Sequence, residues 1–218
     1  MAAEGSNAKG KSAISTGRGD DGTTGLLFSS ERILKDDPRT EAFGTVDEAI
    51  AALGLARAEL ATAESFGNLP RTLVGWGGLI LRLQRELFVV GAELATAPDA
   101  VDRQTPGKTR VTASMVSGLS DLLADTEGNL ELPREFVVPG ETRLSAALEL
   151  ARTIVRRAER RAIPVRQTEP GQPGAREPLT DDQLIAYLNR LSDLLWILSR
   201  LAEKAESRTA VPSRTDRP

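Results

Sequence analysis

Two residue types are missing altogether from the 218-residue chain: cysteine and histidine. Without cysteine there is no disulfide framework, no thiolate metal ligand and no thiol nucleophile. Without histidine, a Ser-His-Asp triad, an imidazole-ligated zinc and an imidazole acid–base group are excluded. Any chemistry must use carboxylates, arginine and lysine, backbone amides, or a reactive cofactor. Aromatics are scarce at 4%, against 40% hydrophobic and 27% charged residues. That balance favours helices over a β-sandwich or barrel. The net charge of −3 gives no general attraction to nucleic acid or to an anionic membrane. No apolar run reaches ~18 residues, so no membrane span is expected. The first thirteen residues hold two lysines but no apolar core, so no secretory signal is expected there. The expectation is a single-domain, soluble, cytoplasmic protein.

What the chain does have is a series of amphipathic segments, five of which read as helices. "GTVDEAIAALGLARAELATA" opens on Thr45-x-x-Glu48, a capping-box pattern, with Val46, Ile50, Leu53 and Leu60 at helical spacing. In the second segment Leu73, Trp76, Ile80, Leu83, Leu87, Val90 and Leu94 alternate steps of three and four, a bundle-type seam. Gly75, Gly77 and Gly78 weaken its first turns. The third, roughly 112–126, is weaker. The fourth, "ETRLSAALELARTIVRRAERRAI", keeps Leu144, Leu148, Ala151, Val155, Ala158 and Ala162 in register between Pro139-Gly140 and Pro164, which is expected to end it. The fifth, roughly 180–204, carries Leu184, Leu188, Leu191, Leu195 and Leu198. Between the last two lies "PVRQTEPGQPGAREPLTDD", a Pro/Gly/charge-rich loop expected to be mobile. No internal repeat is visible. The predicted architecture is an all-α five-helix bundle over residues 14–205, preceded by a flexible N-terminal glycine-rich loop. Disordered tails are expected at 1–13 and 206–218.

Three features could carry chemistry. The stretch "STGRGDDGTTGLL", Ser15 to Leu27, holds four glycines and lacks both the G-K-[ST] ending of a P-loop and a preceding strand signal. Gly19, Gly22 and Gly25 are three apart, which does not match G-x-G-x-x-G, and Asp20-Asp21-Gly22 lacks the alternation of an EF-hand loop. It reads either as an unstructured leader or as a backbone that approaches an anion, with Thr23 and Thr24 hydroxyls to donate. In the fourth helix Arg152, Arg156 and Glu159 fall within about 60° of one another, extended on one side by Arg160. They flank the apolar seam, so they read either as a partly buried polyphosphate or carboxylate site or as a solvated charged face. Asn189 and Asp193 stand at i and i+4 in the fifth helix, with Arg200 beyond; an asparagine there reads a nucleoside or only bonds a neighbour. Asp47, in the first turn of the first expected helix, suits the helix dipole without any function.

Taken in order, "STGRGDDGTTGLL", "KDDPRTEAFGTVDE", "FVVPGETRLSAALELARTIVRRAERR" and "YLNRLSDLLWILSRLAE" resemble the PduO-type ATP:cob(I)alamin adenosyltransferases over most of residues 14–204. The resemblance implies a five-helix bundle assembled as a homotrimer, with active sites between subunits and residues 14–44 as a nucleotide-binding region. It implies transfer of the adenosyl group of ATP to the cobalt of reduced cobalamin, with release of triphosphate and with Mg²⁺ as a neutralising ion. A cobalamin reductase and an adenosylcobalamin-dependent acceptor enzyme are the implied partners. Such chemistry suits a chain without histidine or cysteine, because cob(I)alamin is itself the nucleophile and the protein supplies positioning and electrostatics.

By the same resemblance Thr16, Gly19, Asp20, Gly22 and Thr24 match the nucleotide loop, and Gly17, Arg18 and Thr23 belong to the same ATP-binding set. Lys35 matches a lysine near the phosphates. Arg156 is the leading candidate for stabilising triphosphate; Arg157, Glu159 and Arg160 complete the "RRAER" segment, and Asn189 matches the asparagine at the nucleoside. Asp47 and Arg152 match a pair that bridges subunits beside the corrinoid. Phe136 matches an aromatic under the corrin ring that helps displace the lower axial ligand, giving four-coordinate cobalt that is easier to reduce. Departures from the pattern are Gly17 in place of a basic residue, Glu141 in place of a second glycine, Trp196 in place of a phenylalanine, and the long 164–179 loop. Two other readings use the same residues: a protein that delivers or senses adenosylcobalamin with little turnover, and a helical oligomer in which Asp47 and Arg152 only join subunits.

Overall fold

The computed structural model describes residues 16–128, 130–131, 133–169 and 178–214. The expectations for 1–13, for the middle of the 164–179 loop (170–177) and for 215–218 concern residues outside this set. Five long helices run α1 (Pro38–Ser65), α2 (Trp76–Ala95), α3 (Ala113–Glu127), α4 (Arg143–Gln167) and α5 (Gln183–Ala205). Two short antiparallel strand pairs accompany them: the hairpin β1 (Thr23–Gly25) with β2 (Arg32–Leu34), and the long-range pair β3 (Val137–Val138) with β4 (Val211–Pro212). The all-α bundle expectation holds, with these small β pairings as additions that no period-two pattern announced.

α1 starts earlier than the Thr45 capping box suggested. The Asp37 side chain accepts from the Arg39 amide at 2.7 Å, and Pro38 supplies a preset first turn. Thr45 is instead an interior residue whose hydroxyl bonds the Glu41 carbonyl at 2.7 Å. Asp47 consequently sits in the third turn, beyond the reach of helix-end electrostatics. α4 begins on a Thr142–Ser145 capping box. It also runs through Pro164 to Gln167, contrary to the expected stop. The α2, α4 and α5 seams fall where the spacing placed them: Leu83, Leu87, Leu94, Leu148, Val155, Leu188, Leu191 and Leu198 are all fully buried.

α1 lies between α2 and α4, α4 between α1 and α5, and α3 rests on α5. α1 and α4 are antiparallel, and ion pairs Glu41–Arg161, Glu48–Arg157 and Glu59–Arg143 step along their contact. Alanines 42, 49 and 56 on α1 and 151, 158 and 162 on α4 are buried in this pairing, and their small side chains let the helices approach closely. α4 and α5 are antiparallel too, with Asn189 opposite Glu159 and Ser199 opposite Glu149. At one end of the bundle a buried charge cluster ties four helices. Arg39 donates to the Leu94 and Thr96 carbonyls and pairs with Glu169, while Arg166 contacts Glu93, Glu169 and Asp182. Burial pushes the Glu93 carboxyl up, although the Val111 amide and Arg166 pull the other way.

Candidate functional site

The glycine-rich stretch is built into the first hairpin. Residues 17–22 form successive turns, with the Asp20 amide on the Gly17 carbonyl and the Gly22 amide on the Gly19 carbonyl, both at 3.2 Å. Two cations from β2 and the turn after it hold this tip. Arg32 donates to the Arg18 carbonyl at 2.8 Å and to the Thr23 hydroxyl and carbonyl at 2.6 and 2.9 Å. Lys35 Nζ donates to the Gly19 carbonyl at 2.7 Å. A Cβ on Gly19 would stand 3.0 Å from Lys35 Nζ and 3.2 Å from the Thr23 carbonyl, a tight fit that would make the lysine shift. Gly22 has a φ of +81°, the left-handed region where a side chain is strained. The Asp21 carboxyl is held below its usual range by the Thr23 hydroxyl first, then by the Thr23 amide. Thr24 pairs with Ile33 across the hairpin. The hairpin docks on the bundle through Leu27, whose amide bonds the Ala95 carbonyl at 2.8 Å, and through Arg103, stacked 4.7 Å from the Phe28 ring.

A second group lies on α4 and α5. Asn189 Nδ2 donates to Glu159 at 3.4 Å, and its carbonyl accepts from Arg190 at 2.9 Å. Arg157 is turned to α1, where it pairs with Glu48. Arg160 donates to the Arg156 carbonyl at 3.0 Å. Arg156 and Arg160 are exposed in the single chain, not partly buried as their angular position implied. The Arg156 guanidinium has no hydrogen-bond or ion-pair partner among the described residues.

The third group lines a cavity of about 580 Å³ between the α4–α5 face and the β3–β4 strand pair. Phe136 stands at its edge with 88% of its surface exposed, and Arg152, Glu149 and Trp196 form the helical wall. The far wall includes Ser213 and Arg214, beside β4; the Ser213 amide bonds the Phe136 carbonyl at 2.7 Å. This stretch falls within 206–218, expected to be a disordered tail, and residues 206–214 correct that expectation. Arg152 Nε donates to Glu149 at 2.7 Å.

Phe136 and Arg152 therefore come together, as do Glu159 and Asn189, with Arg156 one turn before Glu159 on α4. Gly19 and Lys35 come together in the hairpin. Asp47 joins none of these groups. It is exposed on α1 with no partner among the described residues. The Glu48–Arg157 pair sets its level along α4; Arg152 is five residues further along, on the order of 7 Å. No hydrogen bond or ion pair among the described residues joins the hairpin to the α4–α5 group. Sequence reasoning missed Arg32, Glu149 and the Ser213–Arg214 wall. Only Glu149, three residues before Arg152 on one helix face, left a local signal.

Residues 14–202 match the sequence profile of the cobalamin adenosyltransferase family. The chain is 37% identical over 190 residues to a corrinoid adenosyltransferase of Citrobacter freundii, covering 87% of this chain and 94% of that one. It is 38% identical over 189 residues to a corrinoid adenosyltransferase of Mycobacterium tuberculosis, covering 87% and 88% of the two chains. Its fold matches a phenylalanine-to-histidine variant of a PduO-type ATP:corrinoid adenosyltransferase from Lactobacillus reuteri, complexed with cobalamin and ATP. That match has a TM-score of 0.75 and 26% identity, covering 93% of this chain and 97% of the other.

Proposed function

The chain belongs to the cobalamin adenosyltransferase family, and from that premise we propose that it transfers the 5′-deoxyadenosyl group of ATP to the cobalt of cob(I)alamin. The observation that carries the reading is the cavity that pairs a fully presented aromatic, Phe136, with the Arg152 guanidinium. A flat macrocycle with polar side chains needs an apolar platform and edge donors together.

In the transfer, the cobalt electron pair of the substrate attacks C5′ of ATP. The C5′–O bond breaks, and the electrons leave with triphosphate, so negative charge grows at that oxygen. No side chain donates or accepts a proton in this step. That suits a chain with neither histidine nor cysteine. Arg156, exposed and with no guanidinium partner among the described residues, supplies a cation toward the leaving triphosphate. The hairpin turns of 17–22 offer amides to the phosphates, with Lys35 held over them by the Gly19 carbonyl. Asn189, steadied by Glu159, reads the nucleoside. Phe136 packs on the lower corrin face and excludes a ligand there. Mg²⁺ enters with the nucleotide; among the described residues no cluster of three acidic groups stands ready to hold a metal by itself. Asp47 pairs with Arg152 across a subunit boundary, since one chain keeps them apart, and the assembly is a homotrimer. No helix among the described residues is long and apolar enough to cross a membrane, and the reaction is assigned to the cytoplasm, fed by a cobalamin reductase.

The test is to mix the protein with ATP, Mg²⁺ and chemically reduced cobalamin, and to follow the adenosylcobalamin spectrum and triphosphate release together. Both should appear in equal amounts. Binding without triphosphate would instead make the protein a carrier or sensor. Arg156→Ala should lower kcat by about 100-fold or more; full activity in that variant would overturn the role given to Arg156.

A further inference from the structure

Glu149 stands in the cavity wall behind Arg152, and no step above uses it. It is a buried carboxylate, 5% exposed, with both oxygens engaged. One accepts from Arg152 Nε at 2.7 Å; the other lies 3.0 Å from the Ser199 hydroxyl, which also reaches the Trp196 carbonyl at 2.7 Å, and 3.6 Å from Arg200 Nη2. Arg200 is itself buried, gives Nη2 to Glu203 at 2.7 Å, and leaves its Nε and Nη1 without a partner. Trp196, another wall residue of the cavity, stacks 5.9 Å from that guanidinium.

A carboxylate taken out of water is retained only where fixed donors compensate it, and removing one partner leaves the others uncompensated. Here α5 contributes Ser199 and Arg200 from the core side, and α4 contributes Arg152 from the cavity side. The result is a chain of charge running from the bundle interior to the cavity wall. Arg152 uses only Nε in this chain; both of its Nη groups have no partner among the described residues. An arginine gripped at Nε has its outer edge fixed, with two parallel donors aimed one way. A free arginine on a helix would sample many rotamers instead.

We infer that Glu149, backed by Ser199 and Arg200, is a positioning residue for adenosyl transfer. It sets the direction in which Arg152 presents its Nη edge, unused among the described residues of this chain, to the corrinoid cavity and to Asp47 of the partner subunit. This rests on the adenosyltransferase reading above.

The experiment compares wild type, Glu149→Gln, Glu149→Asp, Arg152→Ala and the double variant Glu149→Gln/Arg152→Ala. Each is assayed for KM toward cob(I)alamin and toward ATP, and titrated with cob(II)alamin to obtain a Kd. Glu149→Gln should lower kcat/KM for the corrinoid about tenfold and weaken cob(II)alamin binding in parallel, with KM for ATP unchanged. Glu149→Asp keeps the charge and should fall between. In the Arg152→Ala background the Glu149→Gln change should be nearly silent, because the two act through one guanidinium. Multiplying losses in the double variant, or an ATP KM that moves with the corrinoid KM, would overturn the positioning role and leave Glu149 a packing group. A wild type that forms no adenosylcobalamin would overturn the functional reading and this role with it.

Discussion

Gly19 and Lys35 depend on each other through a missing side chain. The lysine amine reaches the Gly19 carbonyl across the space a Cβ would fill. Gly19→Ala should therefore push Lys35 away and raise the KM for ATP about tenfold, with helix content unchanged by circular dichroism. Tyr187 shows the opposite economy: it is fully buried, and its hydroxyl donates to Glu86 at 2.8 Å. Tyr187→Phe keeps the ring and should lower stability by about 1 kcal/mol in urea unfolding. Gly19 and Lys35 were both visible in the sequence, since glycine runs and isolated cations stand out locally. Arg32 was not, because its three bonds exist only once the hairpin register places it beside Arg18 and Thr23. Glu149 was half visible: its spacing to Arg152 is local, but its burial is imposed by α5, fifty residues away.

α4 carries most of the candidate chemistry, and its length is the property the sequence hid. Pro164 cannot donate to the Arg160 carbonyl, yet the helix continues because Val165 is buried and Arg166 is anchored in the charge cluster. Tertiary contacts here override a local stop signal. Pro164→Ala should restore the bond and raise stability by on the order of 2 kcal/mol, after allowing for the looser unfolded chain; thermal unfolding measures it. The start of α1 erred the other way. Both the Asp37-Pro38 pair and the Thr45–Glu48 pattern are start signals, and nothing local says which one the core will use. The apolar seams suffered no such ambiguity, because burial itself enforces their period. β3 and β4 lie at the other extreme: two-residue strands some seventy positions apart have no periodicity to read.

Among the described residues of one chain no hydrogen bond or ion pair connects the hairpin to the α4–α5 group, and Asp47 has no partner. If each active site takes its hairpin from one subunit and its arginines from the next, Lys35→Ala and Arg156→Ala should complement. Each variant alone would be nearly inactive, whereas co-refolded mixtures should recover roughly a quarter of wild-type turnover by random assembly. No recovery would put both groups in one subunit. The charge cluster at the bundle end gives a pH signature. Since burial raises the Glu93 pKa, the folded chain holds that proton more tightly than the unfolded chain. The stability this proton brings is complete at low pH and is lost as pH rises through the raised value. Melting temperatures measured between about pH 4 and pH 8 should thus shift in favour of Glu93→Gln as pH rises. In the same cluster Arg166 grips Glu169, at the last turn before residues 170–177, and Asp182, at the first turn after them. The residues described on either side of 170–177 thus meet at a single guanidinium. The end of α4 and the start of α5 are therefore each tied to Arg166, so a fragment pair cut within 170–177 should stay associated through the α1–α4–α5 packing that this arginine anchors.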